Sequence, residues 1–315
     1  MLTYTLRRLA QFVVVLFLGS IAIFAIIYAV PGSPAEAIAG SNAMPEEIEA
    51  ARERLGLDQP VYVQYLTWLE RTVRLDLGQS AVSGVSVSQQ LVARLPATLQ
   101  LTVLTMALSI IVALPIALIC ALWPRSAAAA ILRAYQAITL AIPTFWVGIL
   151  LVLAFSISLK LLPSVSRYVS VWSDPVGALR NTLLPALSMV FYFSSILSRF
   201  IASSVEDAMK QDFVRTARAK GVPERRVVFG HVLRNALLPA VTVVGLQLGS
   251  LIGGAIVVET VFSYPGIGRL LYTAINSRDY PLIQSLVLFA MLGFMIINLI
   301  VDLAYAWIDP RVKYN

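Results

Sequence analysis

Cysteine, histidine and charge are all scarce in this chain of 315 residues, which holds one cysteine (Cys120) and one histidine (His231). A single thiol excludes an internal disulfide framework. Cys120 lies inside an apolar run, where it reads as a buried, inert side chain. One histidine, with no CxxC or HxxxH spacing nearby, cannot build a metal centre, so neither a metal nor another cofactor is expected. There is no GxxxxGK[ST] loop, no HExxH and no GxSxG, and no catalytic residue is assigned. Charged residues make up 13% of the chain, against about 25% in soluble domains. Hydrophobic residues make up 58%, and the mean hydropathy is +0.80. This is the composition of a membrane protein.

Charge-free runs locate the spans at 9–35, 95–124, 134–159, 181–198, 235–258 and 280–301. Each has the roughly 17 to 25 apolar residues needed to cross the hydrocarbon core, so the expected fold is all-α with six transmembrane helices. The shortest run extends past Arg199 into "FIASSV", with Arg199 near the interface. The first run follows Arg7 and Arg8 and is too long for a secretory signal, which reads as an uncleaved span.

Charge also orients the chain. One side collects the N-terminus, residues 123–133 and 199–234, and the C-terminus, with 14 Lys/Arg against 6 Asp/Glu. The other side, holding 31–94, 160–180 and 259–279, has 10 against 11. The basic side is cytoplasmic by the positive-inside rule, which puts both termini inside. The net charge of +7 is then an orientation signal and does not call for nucleic acid as a partner.

After the first span, Pro45 with Glu46 and Glu47 reads as a helix start, and Gly56 as its stop. A second helix begins near Pro60 and carries Val61, Tyr65, Trp68 and Leu69 on one stripe. Both are expected to pack on the membrane domain or lie at its surface. Prolines stand inside four spans, at 115, 143, 185 and 239, where they bend helices. In the fifth span Gly245, Gly249 and Gly253 recur every fourth residue, a face that lets another backbone approach closely.

The most charged stretch is "QDFVRTARAKGVPERRVVFGHVLRNALLP", residues 211–239, with seven basic residues counting His231 and two acidic ones. Residues 205–219 read as a helix, Lys220-Gly221 as its stop, and Pro223 with Glu224 as the start of another helix to about Asn235. Gly221 is expected to take φ > 0 in the turn. A turn held between two spans could hardly reach a DNA groove. It can rest on anionic lipid, or dock a cytoplasmic partner.

Here the sequence resembles the permeases of binding-protein-dependent ABC importers. Their cytoplasmic pattern is Glu-Ala-Ala, three residues, Gly, nine residues, Ile-x-Leu-Pro. Ala217, Gly221 and Leu233 match it, while Arg215, Thr216, His231 and Arg234 depart. "RTARAKG" and "HVLRNALLP" look instead like the dipeptide/oligopeptide/nickel branch. So do "LRRL", "PGSP", "LGLDQP", "QYLTWL", "ATLQLT", "IPTFW", "ETVFSYPGIGRLL" and "RDYPLIQ", from end to end of the chain. Ser33 stands where that branch usually has Asp, and Leu75 where it usually has Gly.

The resemblance implies a type I ABC importer permease fold. Residues 1–94 would form the first span plus an external helical segment, and 95–308 a permease domain with a coupling loop at 206–235. It implies a second homologous permease subunit, two ABC ATPase subunits and an extracytoplasmic substrate-binding protein as partners, beside membrane lipid. Arg215, Thr216, Ala217, Gly221, Val222, Pro223 and Arg225 would dock the ATPase, with small Ala217 and Gly221 permitting close approach. Gln247, Gly249 and Ser250 are candidates for the pathway, with helix packing the alternative for that glycine face. In 259–282, Tyr264, Tyr272 and Asn276 are candidates for contact with the binding protein, against the alternative of a cap on the chain's own spans. The expected substrate is a short peptide, with nickel chelates, haem or another small solute as alternatives. A secondary transporter is the rival from another class. Proton coupling normally uses carboxylates inside the membrane, and the six runs have none.

Overall fold

The computed structural model describes residues 2–29, 35, 43–54 and 56–308. Its helices are α1 (Leu2–Ala29), α2 (Pro45–Arg54), α3 (Val61–Val73), α4 (Val87–Leu122), α5 (Ala127–Ala141), α6 (Thr144–Leu151), α7 (Pro175–Met209), α8 (Asp212–Ala219), α9 (Glu224–Arg226), α10 (Leu233–Val261), α11 (Ile267–Asn276) and α12 (Tyr280–Ile308). Two π-helical stretches, Val152–Ser158 and Val227–Val232, extend α6 and join α9 to α10. The "PGSP" motif and Ser33 lie outside the described residues.

Among the described residues, five helices are long and apolar enough to cross a membrane: α1, α4, α7, the run from α9 into α10, and α12. The expected span at 134–159 is not one straight helix. It is α5 followed by α6 and its π-helical extension, bent by 104° at a short break, and counting that pair as one span gives six. Pro143 is the cause: it supplies no N–H, and Ile142 before it is extended at φ −93°, ψ 128°. Pro185 and Pro239, by contrast, sit inside continuous helices.

The chain forms two compact units. The first comprises residues 1–98 and 265–295, and the second 99–264 and 296–315. In the first, α3 lies against α1: Tyr65 Oη and Ser20 Oγ are 2.9 Å apart, and the Phe24 ring meets Tyr65 and Trp68 at 5.4 and 5.9 Å. The N-terminus of α11 is tied to α4, because Ile267 N–H donates to Thr98 Oγ1 at 2.8 Å. Met291 of α12 lies so close to Gly19 of α1 that any Cβ there would collide with it.

In the second unit α7 is the central helix. It meets α5 through a ladder of side-chain hydrogen bonds, Gln136 Nε2 to Ser198 Oγ at 2.8 Å, Thr139 with Ser195 at 2.6 Å and Tyr135 with Ser194 at 3.3 Å. Inside a membrane such bonds hold helices together where apolar burial gives no preference over lipid. Below the ladder, Ala113, Ala117 and Cys120 of α4 share a core with Leu197, Ile201 and Val205 of α7 and with Ala236 and Ala240 of α10. Small residues at these contacts let the helix backbones come close.

Candidate functional site: a cytoplasmic helical turn

The charged loop is built from two helix ends and a tight turn. α7 continues through Arg199 to Met209, and Gln211 is extended, so the helix expected over 205–219 is interrupted before α8 begins at Asp212. Gly221 then takes φ +73°, the left-handed conformation that a stop of this kind needs. Pro223 precedes α9, and from Glu224 the chain stays helical to Val261 without the boundary expected near Asn235. The turn is closed by a forked pair. Arg218 Nε donates to Glu224 Oε2 at 3.1 Å and Arg218 Nη2 to Oε1 at 2.6 Å. This bond raises the pKa of the Arg218 guanidinium further above neutrality.

The faces of this element differ from the expectation in one respect that matters. Ala217 is only 8% exposed and packs with Val214 and Val227 into the core shared with α4, α7 and α10. In this structure it supports the turn from beneath and is not offered to a partner. Outward instead stand Arg215, Thr216, Gly221, Pro223 and Arg225, with Val222 half-buried against the core. A Cβ at Gly221 would meet nothing within 4 Å, so the glycine is required by its φ and not by crowding. Two aromatic side chains that sequence reasoning passed over, Phe213 and Phe229, are exposed on the same element. The signal was present in an aromatic standing beside each charged cluster, but the face it would occupy was not.

Among the pathway candidates, Gly245 and Gly249 are buried, and a Cβ at Gly245 would collide with Val301 of α12. That stretch of the glycine face is therefore filled by helix packing. Gly253 at its far end is exposed, with nothing within 4 Å of a Cβ. Gln247 is buried and neither atom of its amide has a hydrogen-bond partner among the described residues, while Ser250 is exposed and donates to the Gln247 carbonyl at 2.9 Å. On the other side of the membrane, Tyr264 is fully buried, with its hydroxyl 3.5 Å from Thr182 Oγ1. Burial pushes its phenol up to about 12. It is part of the core and presents no surface for an external contact. Tyr272 and Asn276 are exposed on α11, and Ile267, Leu271 and Ala274 form its buried face.

Among the described residues the chain thus has five helices able to cross a membrane, or six spans with the bent pair counted as one, and the charged turn joins two of them, which is the pattern of a multi-pass membrane protein. The chain belongs to the family of binding-protein-dependent transport system inner membrane components, whose model matches residues 113–314. The model for the N-terminal part of such membrane components matches residues 1–102. The chain is thus a multi-pass inner-membrane permease of a binding-protein-dependent ABC importer, a transport subunit and not itself the catalyst. It is 39% identical over 315 residues, covering 100% of both chains, to the glutathione transport system permease protein GsiC of Escherichia coli (strain K12). The protein of the same name from Shigella flexneri serotype 5b (strain 8401) is 38% identical with the same coverage. Among solved structures, an amino acid ABC transporter with histidines superposes with a TM-score of 0.54 at 14% identity. That match covers 70% of this chain and 94% of the other, and it supports the fold alone.

Proposed function

We propose that this chain forms half of the translocation pathway for short peptides and transmits ATP-driven motion through residues 212–226. The observation that carries the coupling part is the turn itself. Its inner face, Val214, Ala217 and Val227, is locked into the core, and the Arg218–Glu224 fork closes it. Force applied to the outer face passes directly to α7 and α10, with no flexible linker to absorb it. The outer face, Arg215, Thr216, Gly221, Pro223 and Arg225 with Phe213 beside them, offers cations and an apolar anchor to an ATPase groove. Two ATPase subunits, a second permease and an external binding protein complete the assembly, and the exposed face of α11 with Tyr272 and Asn276 meets the binding protein.

The peptide class is supported by relatives named for glutathione, a tripeptide, over the full length of both chains. The test is to purify the complex with its binding protein and identify the bound ligand by mass spectrometry. A di- or tripeptide, or glutathione itself, is the expected ligand. A nickel chelate or haem would keep the machinery and replace the substrate.

A further inference from the structure

Helix α3 divides into three sectors around its axis. At about 100° per residue, Val61, Tyr65, Trp68 and Thr72 fall together, and Tyr65 and Trp68 among them meet α1. Tyr62, Leu66, Leu69 and Val73 fall within an arc of about 60° beside that sector. Gln64, Thr67, Arg71 and Arg74 occupy the far side, with Glu70 at its edge and the half-buried Val63 between Glu70 and Arg74. Of the second sector, Tyr62, Leu66 and Val73 are exposed, as is Leu75 just beyond the helix. Among the described residues of the first unit nothing covers this apolar stripe.

Where α3 touches α1 says what covers the stripe. The contacts are with Ser20 and Phe24, both inside the apolar stretch Arg8–Ala25 of α1. At 1.5 Å per residue, Phe24 lies only about 24 Å along the helix from Arg8, and Ser20 about 18 Å. With Arg8 at one boundary of a hydrocarbon core roughly 30 Å thick, both contacts are still within the core or at its far edge. A helix seated there cannot stand clear in water. Val13, Val14, Phe17, Leu18 and Ile21 of α1 are also exposed, so the stripe continues an apolar surface suited to lipid. The polar sector with Arg71 and Arg74 faces the opposite way, as the water-facing side of an interfacial helix does.

We infer that α3 is an interfacial amphipathic helix, with Tyr62, Leu66 and Val73 sunk into the acyl–headgroup boundary of the leaflet far from Arg8. It would fix the depth and tilt of the first span and brace the external segment that follows. The surface belongs to lipid and not to a soluble partner.

The test uses the whole complex in lipid nanodiscs, with Cys120→Ala as background and a small thiol-reactive fluorophore at single cysteines. The sites are Leu66→Cys and Tyr62→Cys on the stripe and Thr67→Cys on the polar sector. Lipids brominated high on the acyl chain should quench the probes at 66 and 62 about twofold more than at 67, and aqueous iodide should show the reverse order. Either stripe site alone suffices if the other variant fails to assemble. Equal iodide quenching at all sites with no effect of brominated lipid would overturn the inference. So would protection of residue 66 from iodide only after the binding protein is added, since that would make the stripe a protein-docking surface.

Discussion

The Ser80 hydroxyl donates to the carboxylate of Asp279, 199 residues further along the chain. The second carboxylate oxygen accepts from Ala81 N–H at 3.1 Å, and Asp279 also caps α12, its carbonyl accepting from Ile283 N–H at 2.9 Å. Both side chains are buried. One carboxylate therefore ties the external segment before α4 to the start of the last span. Replacing Asp279 with Ala should leave the buried Ser80 hydroxyl without its carboxylate acceptor, at about 1–3 kcal/mol, and remove the partner of the half-buried Ala81 N–H at a smaller cost. The expected result is a lower melting temperature of the purified complex and protease cleavage near residue 80. Ser80→Ala should give a smaller effect of the same kind.

Leu75 sits at φ +62°, in the left-handed region that favours glycine. Such a conformation costs a non-glycine residue about 1–2 kcal/mol. Glycine relieves that cost but gives up about 0.5–1 kcal/mol through the freedom of the unfolded chain. Leu75→Gly should accordingly be neutral or slightly stabilising in thermal melts, while β-branched Leu75→Val should destabilise.

In the cytoplasmic turn three substitutions should separate by mechanism. Gly221→Trp faces open space and costs about 1 kcal/mol in backbone strain, so the complex should assemble yet lose stimulation of ATP hydrolysis by the loaded binding protein. Ala217→Asp buries a carboxylate in the chain's own core, at about 3 kcal/mol or more, and should lower yield and stability before any effect on coupling. Arg225→Ala removes an exposed charge and should weaken assembly modestly and in a salt-dependent way. The checks are ATPase rates in vesicles beside size-exclusion yield.

Topology can be read with reporter fusions. Fusions after Gln79, Val169 and Tyr272 should report outside, and those after Ser126 and Lys220 inside. The pair at Ser126 and Val169 carries particular weight, because it decides whether the bent α5–α6 pair crosses the membrane or returns to its own side.

How much of this was legible follows from which physical signals are local. The spans were readable because charge is excluded from the hydrocarbon core over whole helices. The turn was readable because Gly221 and Pro223 act on their own backbone. The face of Ala217 was not, since α8 is an eight-residue helix and its small residues could serve an inner or an outer contact equally well. The same holds for Tyr264, whose aromatic ring suits a core or an interface until its neighbours are known. Pro143 announced a disturbance, but a kink and a 104° bend share one sequence signal. The Ser80–Asp279 bond joins segments far apart in the chain and has no local signature.

The most direct test is uptake of a labelled tripeptide into vesicles holding the complete complex, with the loaded binding protein outside and ATP inside. ATP-dependent accumulation that disappears in Gly221→Trp, with assembly intact, is the predicted result. Accumulation driven by a proton gradient without ATP, or ATP-driven uptake unchanged in Gly221→Trp, would contradict the account.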